Sequence, residues 1–338
     1  MNDKQAPPSP ELVFNTINAY QRTEALRGAI DLGLFTEIAK GVTTADALAK
    51  RLDASERGVR ILCDYLVVAG FLTKADRSYG LTPDTALFLD KNSPAYIGVA
   101  TRFLLAPELA DSFRDVARAV RKGGTLMAED GSVTAENPLW IEFARGMAPL
   151  IAPSAQFIAE LVGPPRGPIK VLDIAAGHGL FGIHVAQKNP EAEIFAVDWP
   201  AVLEVATENA QAAGVGDRHH LKPGSAFDVD YGTGYDLVLL TNFFHHFDVP
   251  TCTELARKVH GALKPGGRAM TLEFVPNDDR ISPPEAAMFP LTMLCSTPRG
   301  DAYTFAQYKQ MFEEAGFSKH EIHPTPGIPE AVIISHKL

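Results

Sequence analysis

The chain has 338 residues, of which 46% are hydrophobic and 21% are charged, and its net charge is −10. This length is enough for two domains of ordinary size, and the composition is that of a globular protein rather than a disordered one. Because 31 Lys and Arg stand against 41 Asp and Glu, the chain lacks the basic excess that binding to a phosphate backbone requires. We therefore expect no nucleic-acid partner.

The beginning of the chain and its cysteines indicate the compartment. Residues 1–10 are polar and rich in proline, which predicts a disordered tail without the features of a secretory signal. No apolar stretch approaches the ~18–20 residues that cross a bilayer. Cys63, Cys252 and Cys295 are far apart and form no CxxC pair, as is typical of free thiols. We expect a cytoplasmic protein without a membrane partner.

The first hundred residues predict a winged helix. The predicted elements are, in chain order, helices at 11–31, 44–50 and 55–69 and strands at 71–74 and 79–82. Apolar residues recur at helical spacing in the first of these, while Thr44 and Ser55 are suitable N-caps for the other two. A helix, a helix–turn–helix and a hairpin in this order are typical of a winged helix over residues 11–100.

Residues 101–164 read as a helical connector. We predict a helical stretch at 95–122, a loop rich in Gly and Asp, and a long amphipathic helix from after Asn137 to near Val162. Residues 163–168, Gly-Pro-Pro-Arg-Gly-Pro, then read as a linker.

The remaining residues, 165–338, alternate between strand and helix patterns. The predicted strands are at 169–175, 193–198, 218–222, 235–241, 267–275, 318–323 and 330–336, and the predicted helices are at 179–188, 200–213, 250–263 and 304–315. Such alternation predicts a doubly wound, Rossmann-like α/β domain, in which a mainly parallel sheet carries helices on both faces.

The most informative segment of this domain is the glycine loop, Val171-Leu-Asp-Ile-Ala-Ala-Gly-His-Gly-Leu-Phe-Gly182. Gly177 and Gly179 allow a tight turn and a close approach of the backbone to a ligand. Asp173, just before the turn, would repel a pyrophosphate but suits a cofactor with an ammonium and a sulfonium group. Asp198 ends the next strand, where an acidic side chain meets ribose hydroxyls in doubly wound folds; capping the helix after Trp199 is the alternative role.

These residues resemble the first motif of S-adenosylmethionine methyltransferases. Together with the segment Leu240-Thr-Asn-Phe-Phe-His-His-Phe-Asp248, they make the chain similar, from about residue 12 to 335, to the small-molecule O-methyltransferases of the caffeic-acid, hydroxyindole and bacterial polyketide type. The resemblance implies S-adenosylmethionine as the cofactor and a hydroxyl of a small aromatic or polyketide-like molecule as the methyl acceptor. It also implies a homodimer formed through the N-terminal domain, with the connector lining the acceptor pocket.

The resemblance also implies roles for individual residues. His245 falls on the family's catalytic histidine, whose neutral imidazole can take a proton from the acceptor, and Glu273 matches the first of two carboxylates that orient it. The second carboxylate would fall near Ala302, with Asp301 one position away. The implied cofactor contacts are Asp173, Gly177, Gly179, Asp198, Trp199, Ser225, Ala226, Phe227 and Thr241. The implied acceptor contacts are Phe143, Met147, His246, Met288 and Met293.

Several alternatives stay open at this point. His245 and His246 are also consistent with polar residues at a helix start, or with a metal site completed by Asp248, Glu273 and Asp301, although adjacent helical residues point in different directions. Our prediction is that no metal is bound. Methylation of carbon or nitrogen on the same fold is a further alternative. A winged-helix regulator that senses a ligand belongs to another class, and the mixed charges of its second helix disfavour DNA.

Overall fold

The computed structural model describes residues 8–128, 130–164 and 167–338 of the chain. These divide into two compact units, of which the first ends at Thr101 and the second begins at Arg102. Most of the predicted tail, residues 1–7, and two residues of the predicted linker, Pro165 and Arg166, lie outside the described residues.

The first unit consists of helices followed by a hairpin. Its elements are α1 (Glu11–Ile17), α2 (Ala19–Leu32), α3 (Leu34–Ala39), α4 (Ala45–Arg51), α5 (Glu56–Val68), β1 (Leu72–Ala75), β2 (Ser78–Leu81) and α6 (Pro83–Phe88). The helix predicted at 11–31 is divided at Asn18, whose side-chain amide donates to the carbonyl of Phe14 and so competes with the helical backbone. The apolar faces of α2–α5 and the hairpin enclose one core around Phe35, Leu48 and Leu66.

The segment between the first unit and the sheet is more divided than its pattern predicts. Its helices are α7 (Thr101–Leu104), α8 (Pro107–Ser112), α9 (Val116–Lys122), α10 (Leu139–Gly146) and α11 (Ala148–Val162). The predicted stretch at 95–122 is interrupted because α8 begins at Pro107 and Asp115 caps α9. The predicted long helix is interrupted at Met147, because Pro149 cannot donate a backbone hydrogen bond to the preceding turn.

The second unit has the predicted doubly wound α/β fold. Its further elements are β3 (Ile169–Ile174), α12 (Leu180–Lys188), β4 (Ala192–Asp198), α13 (Pro200–Ala212), β5 (His219–Pro223), β6 (Tyr235–Thr241), α14 (Val249–Ala262), β7 (Leu263–Phe274), α15 (Pro284–Ser296), α16 (Phe305–Glu314), β8 (Lys319–Pro324) and β9 (Glu330–His336). The sheet order is β5-β4-β3-β6-β7-β9-β8, and β9 runs antiparallel to both of its neighbours. Strands β3 to β7 are mutually parallel, so their carboxyl ends meet at one edge of the sheet.

Alternating side chains of the strands supply two cores, one on each face of this sheet. Val171 and Leu239 pack with α11 and α12 on one face, while Leu172 and Leu240 pack with α14 and α16 on the other. This burial on both sides explains why the strands read as nearly continuous apolar runs. In the described part of the chain, no helix is long and apolar enough to span a membrane. The three cysteines are buried and free.

Candidate active site

The glycine loop joins β3 to α12 at the carboxyl edge of the sheet. Gly177 and Gly179 have φ angles of +58° and +74°, which glycine adopts without steric cost. A Cβ at Gly182 would lie 2.5 Å from Cγ2 of Ile194, so this glycine lets α12 pack closely on β4. Each of the three glycines therefore serves the local structure of the loop. At Gly177, a Cβ would lie 3.5 Å from Cε1 of Phe143.

Asp173 is fully buried behind this loop. Its Oδ2 accepts the backbone N–H of Gly182 at 3.1 Å, whereas its Oδ1 has no hydrogen-bond partner within the described residues. Burial raises the pKa of Asp173 to about 8, and the nearby carboxyl of Asp198 acts in the same direction. Asp173 therefore ionises less readily than an exposed carboxyl group, and a positive charge nearby would favour its charged form.

Asp198, the last residue of β4, braces the loop. Its Oδ2 accepts the N–H of Gly177 at 2.8 Å, and its Oδ1 accepts the N–H of Trp199 at 2.7 Å. Burial nevertheless raises its pKa to about 6. Each oxygen keeps a second lone pair that a ribose hydroxyl could use, so bracing the loop and binding a ligand are compatible.

The loop and its two acids fit the cofactor implied by the resemblance. Two carboxyl groups whose pKa values are raised by burial would be stabilised in their charged form by a cationic ligand. Gly177 has no side chain, and the ring of Phe143 lies at ordinary contact distance from the position of its missing Cβ. Trp199, implied to contact the cofactor, lies partly buried beside Val202 and Val205 of α13.

The segment after β5 holds three further residues implied to contact the cofactor. Ser225 accepts the N–H of Phe227 through its side-chain oxygen at 3.1 Å, which shapes the turn. Lys258 donates to the carbonyls of Ala226 and Phe227 at 3.0 and 2.7 Å. Ala226 is buried, and the ring of Phe227 is partly exposed. The ring of Phe227 packs against those of Phe243 and Phe247, so an aromatic surface lies among the residues implied to contact the cofactor.

The loop after β6 brings the side chain of His245 into contact with that of Glu273. Thr241, the last residue of β6, is buried, and a short 3₁₀ turn follows at Phe244–His246. Nδ1 of His245 lies 2.5 Å from Oε2 of Glu273. The other oxygen of Glu273 accepts the backbone N–H groups of Phe243 and Phe244 at 2.9 and 2.8 Å. Because a carboxylate only accepts, this contact assigns the proton to Nδ1 and leaves Nε2 as the basic nitrogen.

His246 is buried next to His245 but has a different environment. The centroids of the two imidazole rings are 4.2 Å apart. The ring of Trp140 meets that of His246 in a T-shaped arrangement, with 5.1 Å between the centroids. Burial holds the pKa of His246 well below its usual value, and its Nδ1 has no partner within the described residues. His246 is therefore a neutral imidazole with an unused polar atom.

The residues implied to contact the acceptor are only partly brought together. Phe143 stacks on His178 of the glycine loop, with 6.1 Å between ring centroids. Met147 is half-buried between α10 and α11. Met293 is buried within α15, whereas Met288 on the same helix is 66% exposed. The rings of Phe289 and His245 meet in a T-shaped arrangement with 4.9 Å between their centroids, so an aromatic residue of α15 borders the histidine.

The expected second carboxylate is absent from position 302. Ala302 is buried. The neighbouring Asp301 forms an ion pair with Arg280, with 3.5 Å between Oδ2 and Nη1. The metal alternative required Asp248 and Asp301 to converge with the two histidines. Asp248 instead caps α14 and pairs with Arg299 at 3.0 Å. Across the described ranges, no group of three or more His, Cys, Asp or Glu side chains is arranged to hold a metal ion.

Sequence reasoning missed two residues next to the pair of His245 and Glu273. Phe274, which stacks on Phe289 at 3.9 Å, follows Glu273 directly and could have been inferred from that position. Glu330 is a buried acid on β9 whose charge interacts with Glu273 and His245. Its only sequence signal is an acidic residue at the start of the apolar run Ala-Val-Ile-Ile.

Comparisons with known proteins cover nearly the whole chain. The model of the O-methyltransferase domain matches residues 166–318, and that of the O-methyltransferase dimerisation domain matches residues 14–91. A crystal structure of a candidate O-methyltransferase from Nostoc punctiforme is 53% identical, covers 98% of this chain and all of its own, and superposes with a TM-score of 0.95.

Relatives with assigned reactions are more distant. The 3-hydroxy-5-methyl-1-naphthoate 3-O-methyltransferase of Streptomyces sahachiroi is 27% identical over 92% of this chain and 90% of its own length. The S-adenosyl-L-methionine-dependent methyl transferase PigF of a Serratia species, whose structure contains SAH, is 26% identical over 98% of this chain and all of its own, with a TM-score of 0.86. These matches give no support to the alternative of a ligand-sensing regulator.

Proposed function

The chain belongs to the O-methyltransferase family, and on that premise we propose that it methylates a hydroxyl of a small aromatic or polyketide-like acceptor, with S-adenosylmethionine as the methyl donor. The observation that carries the proposal is the contact of 2.5 Å between His245 and Glu273 at the sheet edge where the glycine loop also lies. The naphthoate acceptor of the Streptomyces relative supports the aromatic class.

The residues that would hold the cofactor lie around the glycine loop. Gly177 and Gly179 form the tight turn that would hold the cofactor. Asp198 would offer oxygen lone pairs to ribose, and the ring of Phe227 would offer a surface to adenine. Asp173, buried behind the loop, would stabilise the cationic groups of the ligand by its negative charge. The cofactor, when bound, supplies a methyl group made electrophilic by a positively charged sulfur.

The protein's contribution to the reaction is to hold the acceptor and take its proton. Nε2 of His245 accepts the hydroxyl proton as the acceptor oxygen gains its methyl group. Glu273 stabilises the resulting imidazolium through Nδ1, while its other oxygen is held in place by backbone N–H groups. Phe289 and Trp140 border the histidine pair and provide apolar walls that suit an aromatic acceptor.

The N-terminal unit has the element order of a winged helix, and we assign it to dimerisation. The match to the dimerisation domain supports this assignment. Exposed apolar side chains on α1 and α2 provide a surface that a second copy of this chain would cover.

The proposal is tested by screening methyl transfer to phenols and hydroxyquinones and then replacing His245. We expect His245→Ala to lower turnover about 10²–10⁴-fold, the usual contribution of a positioned base. Its affinity for S-adenosylhomocysteine, measured by calorimetry, should stay close to that of the wild type. Glu273→Gln should reduce turnover less, because the imidazole remains.

His246→Ala and a chelator are the controls for this test. If either abolished turnover while His245→Ala stayed active, the metal-assisted alternative would replace the base assignment. Near-full turnover in both histidine variants would show that the enzyme only aligns an already acidic acceptor with the methyl donor.

A further inference from the structure

A second buried carboxyl group lies near the pair of His245 and Glu273, and it comes from the last strand of the chain. Glu330, the first residue of β9, pairs with Phe274 across the antiparallel ladder, one position from Glu273. Only 9% of its surface is exposed. The residues that follow it in β9 are apolar and belong to the two cores, so Glu330 does not occupy an ordinary surface position.

The contacts of Glu330 are weaker than those of Glu273. Its Oε2 accepts the hydroxyl of Ser154 in α11 at 3.3 Å, and the side chain of Asn242 also donates to it. Glu273 by contrast accepts two short backbone hydrogen bonds in addition to the histidine. Burial therefore raises the pKa of Glu330 to about 7, with the charge of Glu273 as the next cause. Glu330 thus changes its charge near neutral pH.

Four other titratable groups around the histidine and Glu273 remain uncharged near neutrality. His246 is held neutral by burial, which lowers its pKa. Burial raises the pKa values of the Cys252 thiol and of the Tyr303 and Tyr308 hydroxyls, so these three groups keep their protons. The nearby acids Asp248 and Asp301 are paired with Arg299 and Arg280. Glu273 contacts His245 directly, and the charge of Glu330 interacts with that of His245, so these two carboxyl groups can balance a positive charge on the imidazole.

We propose that Glu330 is a positioning residue of the active site, a second carboxylate that together with Glu273 favours the protonated form of His245. The proposal rests on the proposed function, in which His245 takes the acceptor's proton. It places on β9 the second acid that position 302 lacks. Asn242 connects the two parts of the site, because it donates to Glu330 and lies three residues before His245.

The physical argument is electrostatic. An imidazolium that forms where only 5% of the histidine is exposed loses most of its hydration. A second negative charge inside the same low-dielectric region offsets part of that cost. When Glu330 is ionised, His245 is a stronger base. When Glu330 is protonated, its negative charge no longer stabilises the imidazolium. His245 is therefore the stronger base at pH values above the pKa of Glu330.

The test compares Glu330→Gln with the wild type by two measurements on the full chain. The first is the ring titration of His245 followed by NMR, with its signal assigned by its loss in His245→Ala. Removing the charge should move the midpoint of this titration to lower pH by about half a unit or more. The second is the pH profile of kcat/KM, whose acid limb should move in the same direction, while the rate at pH 8 falls about 3–30-fold.

Two further variants control for general effects of charge and folding. Glu321→Gln removes one negative charge from β8, where Glu321 contacts Lys319, and it should change neither measurement. Ser154→Ala keeps the Glu330 carboxyl but removes a donor to its ionised form. Glu330 should then titrate at higher pH, and the midpoint for His245 should fall by a smaller amount.

The outcomes separate this inference from the proposed function. A midpoint and a pH profile that are unchanged in a folded Glu330→Gln protein would overturn the role of Glu330. If that variant fails to fold, an unchanged midpoint in Ser154→Ala has the same meaning. If the wild type and His245→Ala transfer no methyl group to any acceptor, the proposed function fails, yet the NMR midpoints still decide whether Glu330 acts on His245.

Discussion

Asp198 uses both of its oxygens to hold the backbone that a ligand would approach. The contacts at 2.8 Å with Gly177 and 2.7 Å with Trp199 fix the loop on one side and the start of α13 on the other. Loss of this side chain would therefore loosen the glycine loop as well as remove the proposed ribose contact. The alternative role considered for Asp198 was to cap the helix after Trp199. Its side chain instead accepts the N–H of Trp199, which is itself the N-cap residue of α13, and this bond is compatible with the proposed ribose contact.

We predict that Gly177→Val and Asp198→Ala each weaken the binding of S-adenosylhomocysteine. Valine at a φ of +58° is strained, and its methyl groups would enter the space above the loop. Asp198→Ala removes hydrogen bonds to a charged group, each worth about 1.5–3 kcal/mol, which corresponds to roughly a tenfold loss of affinity or more. Isothermal titration calorimetry measures both effects.

Gly214→Val is the matched control for the loop variant. Gly214 has a φ of +72° and open space around it, so this substitution introduces the same backbone strain away from the site. It should lower stability and leave affinity unchanged. Equal affinities for Gly177→Val, Asp198→Ala and the wild type would show that the cofactor binds elsewhere.

The parallel strands and their loops were predictable from the sequence because their signals are local. The run Val-Leu-Asp-Ile before two glycines indicates a strand, a tight turn and a helix start within twelve residues. The contact between His245 and Glu273 was implied by the resemblance. His245 follows β6, and Glu273 lies near the end of the neighbouring parallel strand β7. The structure brings the two together.

The position of β9 could not be derived from that alternation. β9 inserts between β7 and β8 and runs antiparallel to both, which places Glu330 opposite Phe274, a residue 56 positions earlier in the chain. A pairing of this kind depends on sheet topology rather than on any local pattern. The interruptions at Asn18 and Met147 were missed for a different reason, because a hydrophobic period continues unchanged through a short break in a helix.

The close packing of α12 on β4 lets us predict how a substitution at Gly182 changes stability. Alanine at an exposed helix position is about 0.5–1 kcal/mol more stable than glycine. At Gly182, however, the new methyl group would lie 2.5 Å from the buried Ile194 and 3.0 Å from Asp173. Overpacking of this kind costs about 1–3 kcal/mol, so we expect Gly182→Ala to lower the free energy of unfolding by about 1–2 kcal/mol in urea titrations.

Gly261→Ala, in α14, provides the comparison within the same unit. No atom lies within 4 Å of a Cβ placed at Gly261. The ordinary helix preference should therefore prevail there and raise stability slightly. A Gly182→Ala protein that is as stable as Gly261→Ala would mean that α12 can move away from β4 without loss.

At the scale of the whole molecule, the N-terminal helices carry an apolar surface that the described residues leave exposed. Val13, Ile17 and Tyr20 recur at helical spacing and are all more than half exposed, as are their neighbours Leu12 and Phe14. None of the residues of α1 is buried. A soluble chain rarely exposes so continuous an apolar stripe, and burial of its large side chains against a second copy would be favourable.

We predict that the protein is a dimer and that the double substitution Leu12→Glu with Phe14→Glu makes it a monomer. Placing two carboxylates in an apolar interface leaves buried charges without partners, which costs several kcal/mol for each subunit. Light scattering at micromolar concentration should report twice the chain mass for the wild type and the mass of one chain for the variant. Leu338→Glu is the control, because Leu338 is also exposed but lies at the far end of the chain, and it should remain a dimer. A wild-type monomer, or a double variant that still forms dimers, would show that α1 does not form the contact.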